Sequence, residues 1–266
     1  MADTNVAEGY QRISGLQRNV GKELIQNHIK SCSGYVILDL GCGTGELSAH
    51  LAELVGQHGK VVAVDPDVRR VHVAQETHKG VKNLTFHEGS TAYFPGMSSE
   101  TYDIIFSNAV LHWVPDKNEA FEKIFRSLRP GGKIIMSYLD HLPPVHEHVY
   151  RELNPENLDK ILNLFQLETR SNIEKMCLAA GFNIVQSHDE FFADRQYENG
   201  ENLCSYFWAT THGMFDPKLV TEDRLTRFCA RYSSEESPAK PFKVWAEKGD
   251  FYGITIATKP KREQTA

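Results

Sequence analysis

The segment Tyr35-Val-Ile-Leu-Asp-Leu-Gly-Cys-Gly-Thr-Gly45 decides the fold class of this chain. It begins with a short apolar run that is too brief for a helix and is closed by glycine, which is typical of a buried strand. Three glycines then follow at G-x-G-x-G spacing, and a helical pattern extends from Glu46 to Val55, with Gly56 as its expected stop. A strand, a glycine turn and a helix in this order predict the start of a strand–helix–strand unit.

The same alternation continues toward the C-terminus. Further strands are predicted at Val61–Val64, Leu84–Phe86, Tyr102–Phe106, Lys133–Met136, Asn183–Gln186 and Phe251–Ala257. Further helices are predicted at Asn118–Leu128, Asn157–Leu167 and Ser171–Ala180. The strands before Ser137 are apolar throughout, which indicates a parallel sheet that is covered on both faces. We therefore predict a Rossmann-like, doubly wound α/β fold, with a mostly parallel seven-stranded sheet and helices on both faces.

Three parts are predicted along the chain: an N-terminal helical cap at 1–34, the α/β domain at 35–258, and a disordered tail at 259–266. Within the domain, residues 190–249 are too long for a plain connection and are rich in aromatic residues, so a helical insertion is expected before the last strand. Two interpretations of the insertion stay open. It is either a lid over a substrate pocket, with Gly213 as its hinge, or a small accessory core packed on the sheet.

Composition argues against several classes of function. The chain has 266 residues, of which 41% are hydrophobic and 24% charged, and this is ordinary for a globular protein. The net charge is −6 and no basic cluster is present, so no nucleic-acid partner is expected. No apolar run is long enough to span a membrane and no secretory signal is recognisable, so no membrane partner is expected. The five cysteines lie far apart, which favours free thiols and a cytoplasmic location.

The glycine turn and the end of the second strand together predict a nucleoside site. Glycines allow positive φ and let a ligand approach the bare backbone, and the N-terminus of the following helix attracts an anionic group. The turn has no lysine to meet a polyphosphate, and its spacing differs from those of dinucleotide-binding and P-loop motifs. Asp65 ends the second strand twenty residues past Gly45, where a carboxylate can accept hydrogen bonds from both hydroxyls of a ribose.

Four segments resemble the ordered motifs of class I S-adenosylmethionine-dependent methyltransferases. They are Val36–Gly45, Val61–Asp65, Tyr102–Ala109 and Leu128–Lys133. The resemblance covers residues 35–137 strongly and the rest of the chain loosely. Tyr10 with Leu16-Gln17-Arg18, and Asn108-Ala-Val-Leu-His-Trp-Val114, further resemble the juvenile hormone acid and trans-aconitate methyltransferase branch, whose members esterify small carboxylic acids.

The resemblance implies S-adenosyl-L-methionine as the cofactor and S-adenosyl-L-homocysteine as its product. Asp39 and the backbone near Gly41 would hold the ammonium of the methionine part. Asp65 would hold the ribose, and Pro66 would lie along the adenine. Where the family commonly has an acidic residue for the adenine amino group, this chain has Ser90, which is a weaker, neutral acceptor. The implied cofactor-binding residues are Gln17, Asp39, Gly41, Cys42, Gly43, Gly45, Asp65, Pro66, Ser90 and Asn108.

The resemblance also places the methyl acceptor beyond the fourth strand, because ligands of open α/β sheets bind at the carboxyl ends of the strands. Gln17, His112 and Trp113 are the implied catalytic residues, and the indole N–H of Trp113 is expected to meet a substrate oxygen. The predicted substrate-binding residues are Trp113, His141, Tyr206, Trp208 and His212. The partner is therefore expected to be a small molecule, and the chain is expected to act as a monomer or a homodimer.

Three functions stay open. A carboxylate acceptor is ionised at neutral pH and needs no base, which makes methyl ester formation on an organic or fatty-type acid the first hypothesis. An amine or hydroxyl acceptor needs a base, for which His112 or His141 is available. A protein that kept the cofactor fold without turnover is the third. His146 and His148 would lie on one side of an extended loop segment, but no third ligand is recognisable, so no metal is expected.

Overall fold

The computed structural model describes residues 15–192, 196–233, 237–244 and 250–262. Tyr10, with the rest of the predicted cap up to residue 14, lies outside these ranges, as do residues 263–266 of the predicted tail. The chain forms two compact units. The first, here called the sheet unit, comprises Leu16–Asp140, Glu168–Asp189 and Gly253–Ala266. The second, here called the helical unit, comprises Met1–Gly15, His141–Leu167 and Glu190–Tyr252.

Seven strands form one sheet. Within the described ranges the strands are β1 (Val36–Leu40), β2 (Lys60–Asp65), β3 (Leu84–Glu88), β4 (Tyr102–Asn108), β5 (Leu128–Tyr138), β6 (Asn183–Phe192), β7 (Gln196–Tyr197), β8 (Phe242–Lys243) and β9 (Asp250–Thr258). The order in the large sheet is β3-β2-β1-β4-β5-β9-β6, while β7 and β8 form a separate pair. Neighbours among β1 to β5 are parallel, and β9 is antiparallel to β5. The predicted mostly parallel, seven-stranded sheet is confirmed.

The strand order places a topological switch between β1 and β4. From β1 the chain moves outward through β2 and β3 on one side, and it then returns to β4 and β5 on the other. The connections that follow β1 and β4 therefore leave the same edge of the sheet in opposite directions, and this crevice is where open α/β sheets bind ligands. Asp39 on β1 pairs with Ala63 on β2 and with Phe106 on β4, so its side chain starts close to the crevice.

Helices cover both faces of the sheet. The helices of the described ranges are α1 (Gly15–His28), α2 (Glu46–Val55), α3 (Val68–Thr77), α4 (Lys117–Ser127), α5 (Pro144–Leu153), α6 (Leu158–Leu162), α7 (Arg170–Ala179), α8 (Gly200–Thr210) and α9 (Glu222–Tyr232). Because successive side chains of a strand point to opposite faces, Ile37 packs with α1 and α2, whereas Leu38 packs with α4 and α7. The prediction of a doubly wound fold is confirmed.

Helix α2 has the bounds that the sequence predicts, whereas the helix predicted over Asn157–Leu167 is confirmed only between Leu158 and Leu162. The chain instead forms a 3₁₀ turn at Pro155–Asn157, and α6 ends at Leu162. The amides of Leu164 and Phe165 bond to carbonyls three residues back instead of four. This tighter hydrogen-bond pattern closes the helix early.

His146 and His148 lie in helix α5, so the prediction that they lie in an extended loop is wrong. Pro143 and Pro144 precede them and favour a break in regular structure. In the structure Pro144 is the first residue of α5, where its missing N–H is not needed and its φ suits a helix. The two histidines are therefore helical, and side chains two positions apart on a helix do not face each other.

Residues 259–262 correct the prediction of a disordered tail that begins at 259. Lys259 Nζ donates to Leu128 O at 2.8 Å and to Glu100 Oε1 at 3.0 Å. The carbonyl of Lys259 accepts from Gly131 N at 3.0 Å, and Arg262 forms an ion pair with Glu100. The basic side chains that suggested a solvated segment thus tie it to the loop before β4.

The helical unit is built around aromatic rings. Its core includes Tyr150, Phe207, Phe215 and Phe228. The insertion expected at 190–249 supplies α8 and α9, and the segment His141–Leu167 adds α5 and α6. In the part of the chain that the structure describes, no helix has the length and apolar character needed to cross a membrane.

All five cysteines are buried and free of disulfide bonds, as the sequence predicts. Burial raises the pKa of the Cys42, Cys177 and Cys204 thiols, which keeps them protonated at neutral pH. A protonated, buried thiol is a poor nucleophile, so these cysteines act as small apolar residues.

Candidate functional site

The glycine turn after β1 folds back over the end of β2. Gly41 N and Cys42 N both donate to Val64 O, at 2.8 and 2.9 Å. Gly41 has φ +82°, and a Cβ there would lie 2.2 Å from Cγ2 of Val110, in the connection that follows β4. Glycine is therefore required at position 41, because only a bare Cα lets the two connections at the switch point approach so closely.

The third glycine of the turn meets the other side of the site. Gly45 has φ +89° and forms the N-terminal cap of α2, and a Cβ there would lie 2.6 Å from Cζ of Phe86 on β3. No side chain caps this helix end. Uncapped N–H groups at the start of a helix attract an anionic group, as expected for a turn that receives a ligand.

Asp39 is a buried carboxyl group at the end of β1. Only 2% of it is exposed, and one of its oxygens accepts a hydrogen bond from Ser48 Oγ of α2 at 2.6 Å. Burial raises the pKa of Asp39 to about 7, and the negative charge of Asp65 adds to this rise. A nearby cation would favour the ionised form, so the group fits a ligand that carries an ammonium.

Asp65 ends β2 and binds the glycine turn. Its Oδ2 accepts from Gly43 N and its Oδ1 from Asp67 N, both at 2.9 Å. Burial raises the pKa of Asp65, and the charge of Arg70 opposes this rise. Each carboxylate oxygen keeps acceptor capacity beyond these bonds, so two hydroxyls of a ribose can still be bound. Pro66 is exposed in the turn that follows.

Ser90 stabilises its own turn after β3. Its Oγ accepts from Ala92 N at 3.1 Å, and its backbone pairs with Tyr93 through bonds of 2.8 and 3.1 Å. The side chain is half-buried, and its hydroxyl group has donor capacity left for a ligand. As an acceptor for an adenine amino group it is uncharged and already shared with the backbone.

Asn108 at the end of β4 connects three elements. Its Nδ2 donates to Gln17 O of α1 at 2.9 Å, and its Oδ1 accepts from Ser137 Oγ of β5 at 2.8 Å. Helix α1 can lie this close because a Cβ at Gly21 would meet Leu47 Cδ1 at 2.3 Å. The predicted residues Gln17 and Asn108 are thus brought together. The role of Ser137 was missed, because no local sequence signal links it to β4.

Ala109, which follows β4, has a strained backbone. Its φ is +58°, a left-handed value that is uncommon for a residue with a Cβ. Its N–H donates to Ser137 O at 2.9 Å and lies 3.2 Å from Ser137 Oγ, so β5 holds the strained residue in place. Strain of this kind is typical of functional sites, and here it directs the chain into the Leu111–Trp113 turn.

His112 and Trp113 lie in a 3₁₀ turn after β4. His112 is 4% exposed, and its Nδ1 accepts from Leu139 N at 3.3 Å. Because a backbone N–H can only donate, this bond assigns the proton of the neutral ring to Nε2. Trp113 is half-buried, and its ring centroid lies 4.8 Å from that of His112. The pair carries two N–H groups, Nε2–H of His112 and the indole N–H of Trp113.

The substrate residues predicted in the helical unit have different surroundings. Tyr206 is 4% exposed and lies in the aromatic core, with its ring 5.1 Å from that of Phe207. Trp208 packs against the same core, whereas His141 and His212 are exposed. This placement favours the interpretation of Tyr206 and Trp208 as part of an accessory core.

Gly213, the expected hinge of the insertion, lies just past the end of α8. Its N–H donates to Trp208 O at 2.8 Å, and its φ is +85°. This is the geometry of a glycine that ends a helix, here α8. Gly213 thus takes part in closing the C-terminal end of α8, and its role as a hinge stays a prediction.

The two histidines of α5 pack against different aromatic rings. His146 is buried against the ring of Phe207 at 5.0 Å, and His148 stacks on Tyr232 at 4.5 Å. Among the described residues, no group of three or more histidine, cysteine or acidic side chains could hold a metal ion.

The side chains around the glycine turn fit the cofactor implied by the motifs. Two buried carboxyl groups, Asp39 and Asp65, are available for an ammonium and for ribose hydroxyls. The segment Gly41–Gly45 contains no lysine or arginine, so a polyphosphate would lack a cation there. S-adenosylmethionine has an ammonium and a ribose but no phosphate, and this set of groups matches it.

Comparisons with known proteins agree with this geometry. A family model described as a methyltransferase domain matches residues 31–201. Malonyl-[acyl-carrier protein] O-methyltransferase of Yersinia pestis is 33% identical over 138 residues, which are 52% of this chain and 49% of that protein. The chain spans about half the length of the curated relatives it matches.

Solved structures share the fold at low identity. A candidate methyltransferase of Bacillus halodurans is similar with a TM-score of 0.61 at 18% identity, over 91% of this chain and 99% of that one. Phosphoethanolamine N-methyltransferase 2 of Haemonchus contortus, solved with S-adenosyl-L-methionine, has a TM-score of 0.60 at 18% identity, over 96% of this chain and 57% of that one. These two structures share the fold of this chain. The family match over residues 31–201, more than half of the chain, shows that it belongs to the class I S-adenosylmethionine-dependent methyltransferases.

Proposed function

We propose that this enzyme methylates the carboxylate of a small organic or fatty-type acid and so forms a methyl ester. The observation that carries the proposal is the hydrogen bond from Leu139 N to Nδ1 of His112. The neutral ring then holds its proton on Nε2 and has its lone pair on Nδ1, where the backbone N–H already occupies it. His112 can donate a hydrogen bond but is badly placed to remove a proton, and a carboxylate acceptor needs no base at neutral pH.

Two resemblances support an acid as the acceptor. Gln17 and the Leu111-His-Trp113 segment resemble the juvenile hormone acid and trans-aconitate branch. A relative named for O-methylation of malonyl-[acyl-carrier protein] is 33% identical over about half of the chain. Both point to the same nucleophile, a carboxylate oxygen.

The residues of the sheet unit would bind the cofactor in parts. Asp39 would accept from the ammonium of the methionine part, and Asp65 from the ribose hydroxyls. Ser90 would meet the adenine amino group, and Gln17 would bind a carboxylate of the cofactor or of the acid. Bound S-adenosylmethionine supplies the electrophilic methyl group, and S-adenosylhomocysteine is the product.

His112 Nε2–H and the indole N–H of Trp113 would donate to the carboxylate of the acceptor. Two donors from one short turn fix the direction of the attacking oxygen. Alignment of this kind can supply effective molarities of about 10⁵ M or more. The protein's main contribution to the rate of methyl transfer would therefore be to position the acceptor carboxylate.

A panel of carboxylic acids, amines and alcohols of matched carbon skeleton tests the proposal, with release of S-adenosylhomocysteine as the readout. We expect turnover with acids only. Turnover with amines or alcohols, with a rate that falls at acid pH as a histidine gains a proton, would overturn the proposal in favour of a base-dependent N- or O-methyltransferase. Cofactor binding without turnover on any acceptor would favour a catalytically silent binding protein.

Variants of His112 sharpen the test. In His112→Gln the amide oxygen can accept from Leu139 N and the amide N–H₂ can still donate, but no base remains. We expect His112→Gln to keep turnover within about tenfold, whereas His112→Ala should lose more than a hundredfold, the range typical of lost positioning donors. Equal losses in both variants would identify His112 as a base.

We also propose a cytoplasmic location and a small-molecule partner. The five buried free thiols fit a reducing compartment. The chain would act as a monomer or a homodimer, which light scattering of the purified protein would distinguish.

A further inference from the structure

Lys117, the first residue of α4, contradicts two rules of local electrostatics. It is only 5% exposed, although ammonium groups are rarely buried. It also lies at a helix N-terminus, where the helix dipole disfavours a positive charge. Burial lowers the pKa of Lys117, and the negative charge of Glu168 opposes this. Residues that are unfavourable for local structure are expected at functional sites, so Lys117 is a candidate for a functional role.

The ammonium of Lys117 reaches back to the turn that carries His112 and Trp113. Lys117 Nζ donates to Val114 O at 2.7 Å. Val114 N in turn donates to Leu111 O at 3.1 Å, and this bond closes the 3₁₀ turn. The lysine therefore holds the residue at which the turn ends.

The beginning of the same connection is held from β5. Ser137 accepts from the strained Ala109, and the backbone of Leu139 donates to His112. At the other end of the connection, Lys117 binds the carbonyl of Val114. Both ends of the connection are therefore hydrogen-bonded to other parts of the sheet unit.

We propose that Lys117 is a positioning residue that fixes the Leu111–Trp113 turn for methyl transfer. This inference rests on the proposed acceptor site, since it assigns a purpose to the donors of that turn. Lys117 would act through the Val114 carbonyl and would not touch the acceptor.

Lys117→Met keeps the length of the side chain and removes the donor. We expect the free energy of unfolding to be unchanged or higher, because a buried charge at a helix N-terminus is removed. We expect kcat to fall by about tenfold to a hundredfold, while the affinity for S-adenosylhomocysteine stays within twofold. Lys117→Arg should recover most of kcat, because it restores a charged donor.

Lys123→Met is the matched control on the same helix. Lys123 Nζ also donates to a backbone carbonyl, that of Ala92, at 3.1 Å, but it lies away from the Leu111–Trp113 turn in sequence. We expect this variant to keep kcat. A similar loss of kcat in both variants, or a loss of stability in Lys117→Met that parallels its loss of kcat, would overturn the proposal.

The indole N–H resonance of Trp113, assigned with Trp113→Phe, provides a readout that needs no acceptor. We expect it to shift or broaden in Lys117→Met and to be unchanged in Lys123→Met. An unchanged Trp113 resonance in Lys117→Met would overturn the role of Lys117, whatever the acceptor is. If the wild-type enzyme turns over no acid, the proposed function fails, and this resonance alone still decides the role of Lys117.

Discussion

The sheet unit and the helical unit bury different kinds of side chain. At the carboxyl edge of the sheet, Asp39, Asp65 and His112 are nearly inaccessible, and each is hydrogen-bonded to a neighbouring element. In the helical unit, Tyr206 and Phe207 are equally inaccessible but lie among other rings. Burying a polar group is costly unless it is bonded, whereas burying a ring is favourable in itself.

This difference separates the predicted site residues whose burial indicates function from those whose burial is explained by packing. A buried carboxyl group is hard to explain by packing, so Asp39 and Asp65 are strong candidates for function. A buried tyrosine is explained by packing alone, so Tyr206 is a weak one. Substitutions at residues of the two kinds test whether burial separates function from packing.

Tyr206→Ala should lower the free energy of unfolding by about 3–5 kcal/mol, as is typical of large rings removed from a core. Urea denaturation measures this loss. Tyr206→Phe is the control, because it keeps the ring and should lose about 1 kcal/mol or less. A Tyr206→Ala enzyme of normal stability with a raised KM for the acceptor would show that Tyr206 lines a pocket, and the distinction would fail.

Gly41→Ala should lower the free energy of unfolding by about 3–4 kcal/mol and weaken cofactor binding severely, because a Cβ adds both a strained φ and overlap with Val110. Calorimetric unfolding and titration with S-adenosylhomocysteine measure the two effects.

Gly34→Ala separates the two causes. Gly34 has φ +80°, and nothing lies within 4 Å of an added Cβ. This variant should lose only the strain contribution of about 1–2 kcal/mol and keep cofactor binding. Equal losses at positions 34 and 41 would mean that the close approach to Val110 is unimportant.

Much of the sheet unit could be predicted because its signals are local. Helix α2 needs only its apolar spacing and Gly56, and β1 needs only its apolar run. Strand β5 begins at Leu128, earlier than predicted, because Leu128 pairs with Tyr102 before an irregularity in the pairing of β4 with β5. That pairing depends on residues far apart in sequence, and local sequence patterns cannot predict it.

The same limit applies to the site. The positions of Asp39 and Asp65 follow from the strand ends, and the structure places both at the glycine turn as expected. The contacts of Ser137 with Asn108, and of Lys117 with Val114, arise when separate elements meet in space. Helix α5 was missed for another reason, since two prolines can mark either a loop or a helix start.

Asp39 should make cofactor binding depend on pH. Because the pKa of Asp39 is raised to about 7, its carboxyl is protonated below that pH and must lose a proton to meet an ammonium. The affinity for S-adenosylhomocysteine should therefore fall by up to about tenfold per pH unit below pH 7, and titration calorimetry at pH 6 and 8 measures this.

Asp39→Asn is the control, with weaker binding that no longer follows this slope. The raised pKa also adds stability that is full below the unfolded value near 3.8 and is lost as the pH rises through about 7. Asp39→Asn should also remove this pH-dependent loss of stability. Equal affinity of the wild-type protein at pH 6 and 8 would exclude the contact between Asp39 and the ammonium.

Ser90→Asp should strengthen binding of S-adenosylhomocysteine by about 1 kcal/mol, close to fivefold, since a charged acceptor is worth more than a neutral one. The turn should survive, because one carboxylate oxygen can still accept from Ala92 N while the other faces the ligand. Ser90→Asn is the matched neutral control, and we expect a smaller change.

The analogue with inosine in place of adenosine decides where position 90 lies. Inosine has a carbonyl where adenosine has its amino group. The carboxylate introduced by Ser90→Asp would then face an acceptor, and the substitution should weaken binding of the inosine analogue. If Ser90→Asp changes the affinity for both ligands alike, the effect is a general one of charge beside Asp65, and Ser90 does not contact the adenine. In that case the burial and hydrogen bonds of Ser90 would be explained by the turn after β3 alone, just as the burial of Tyr206 is explained by packing alone.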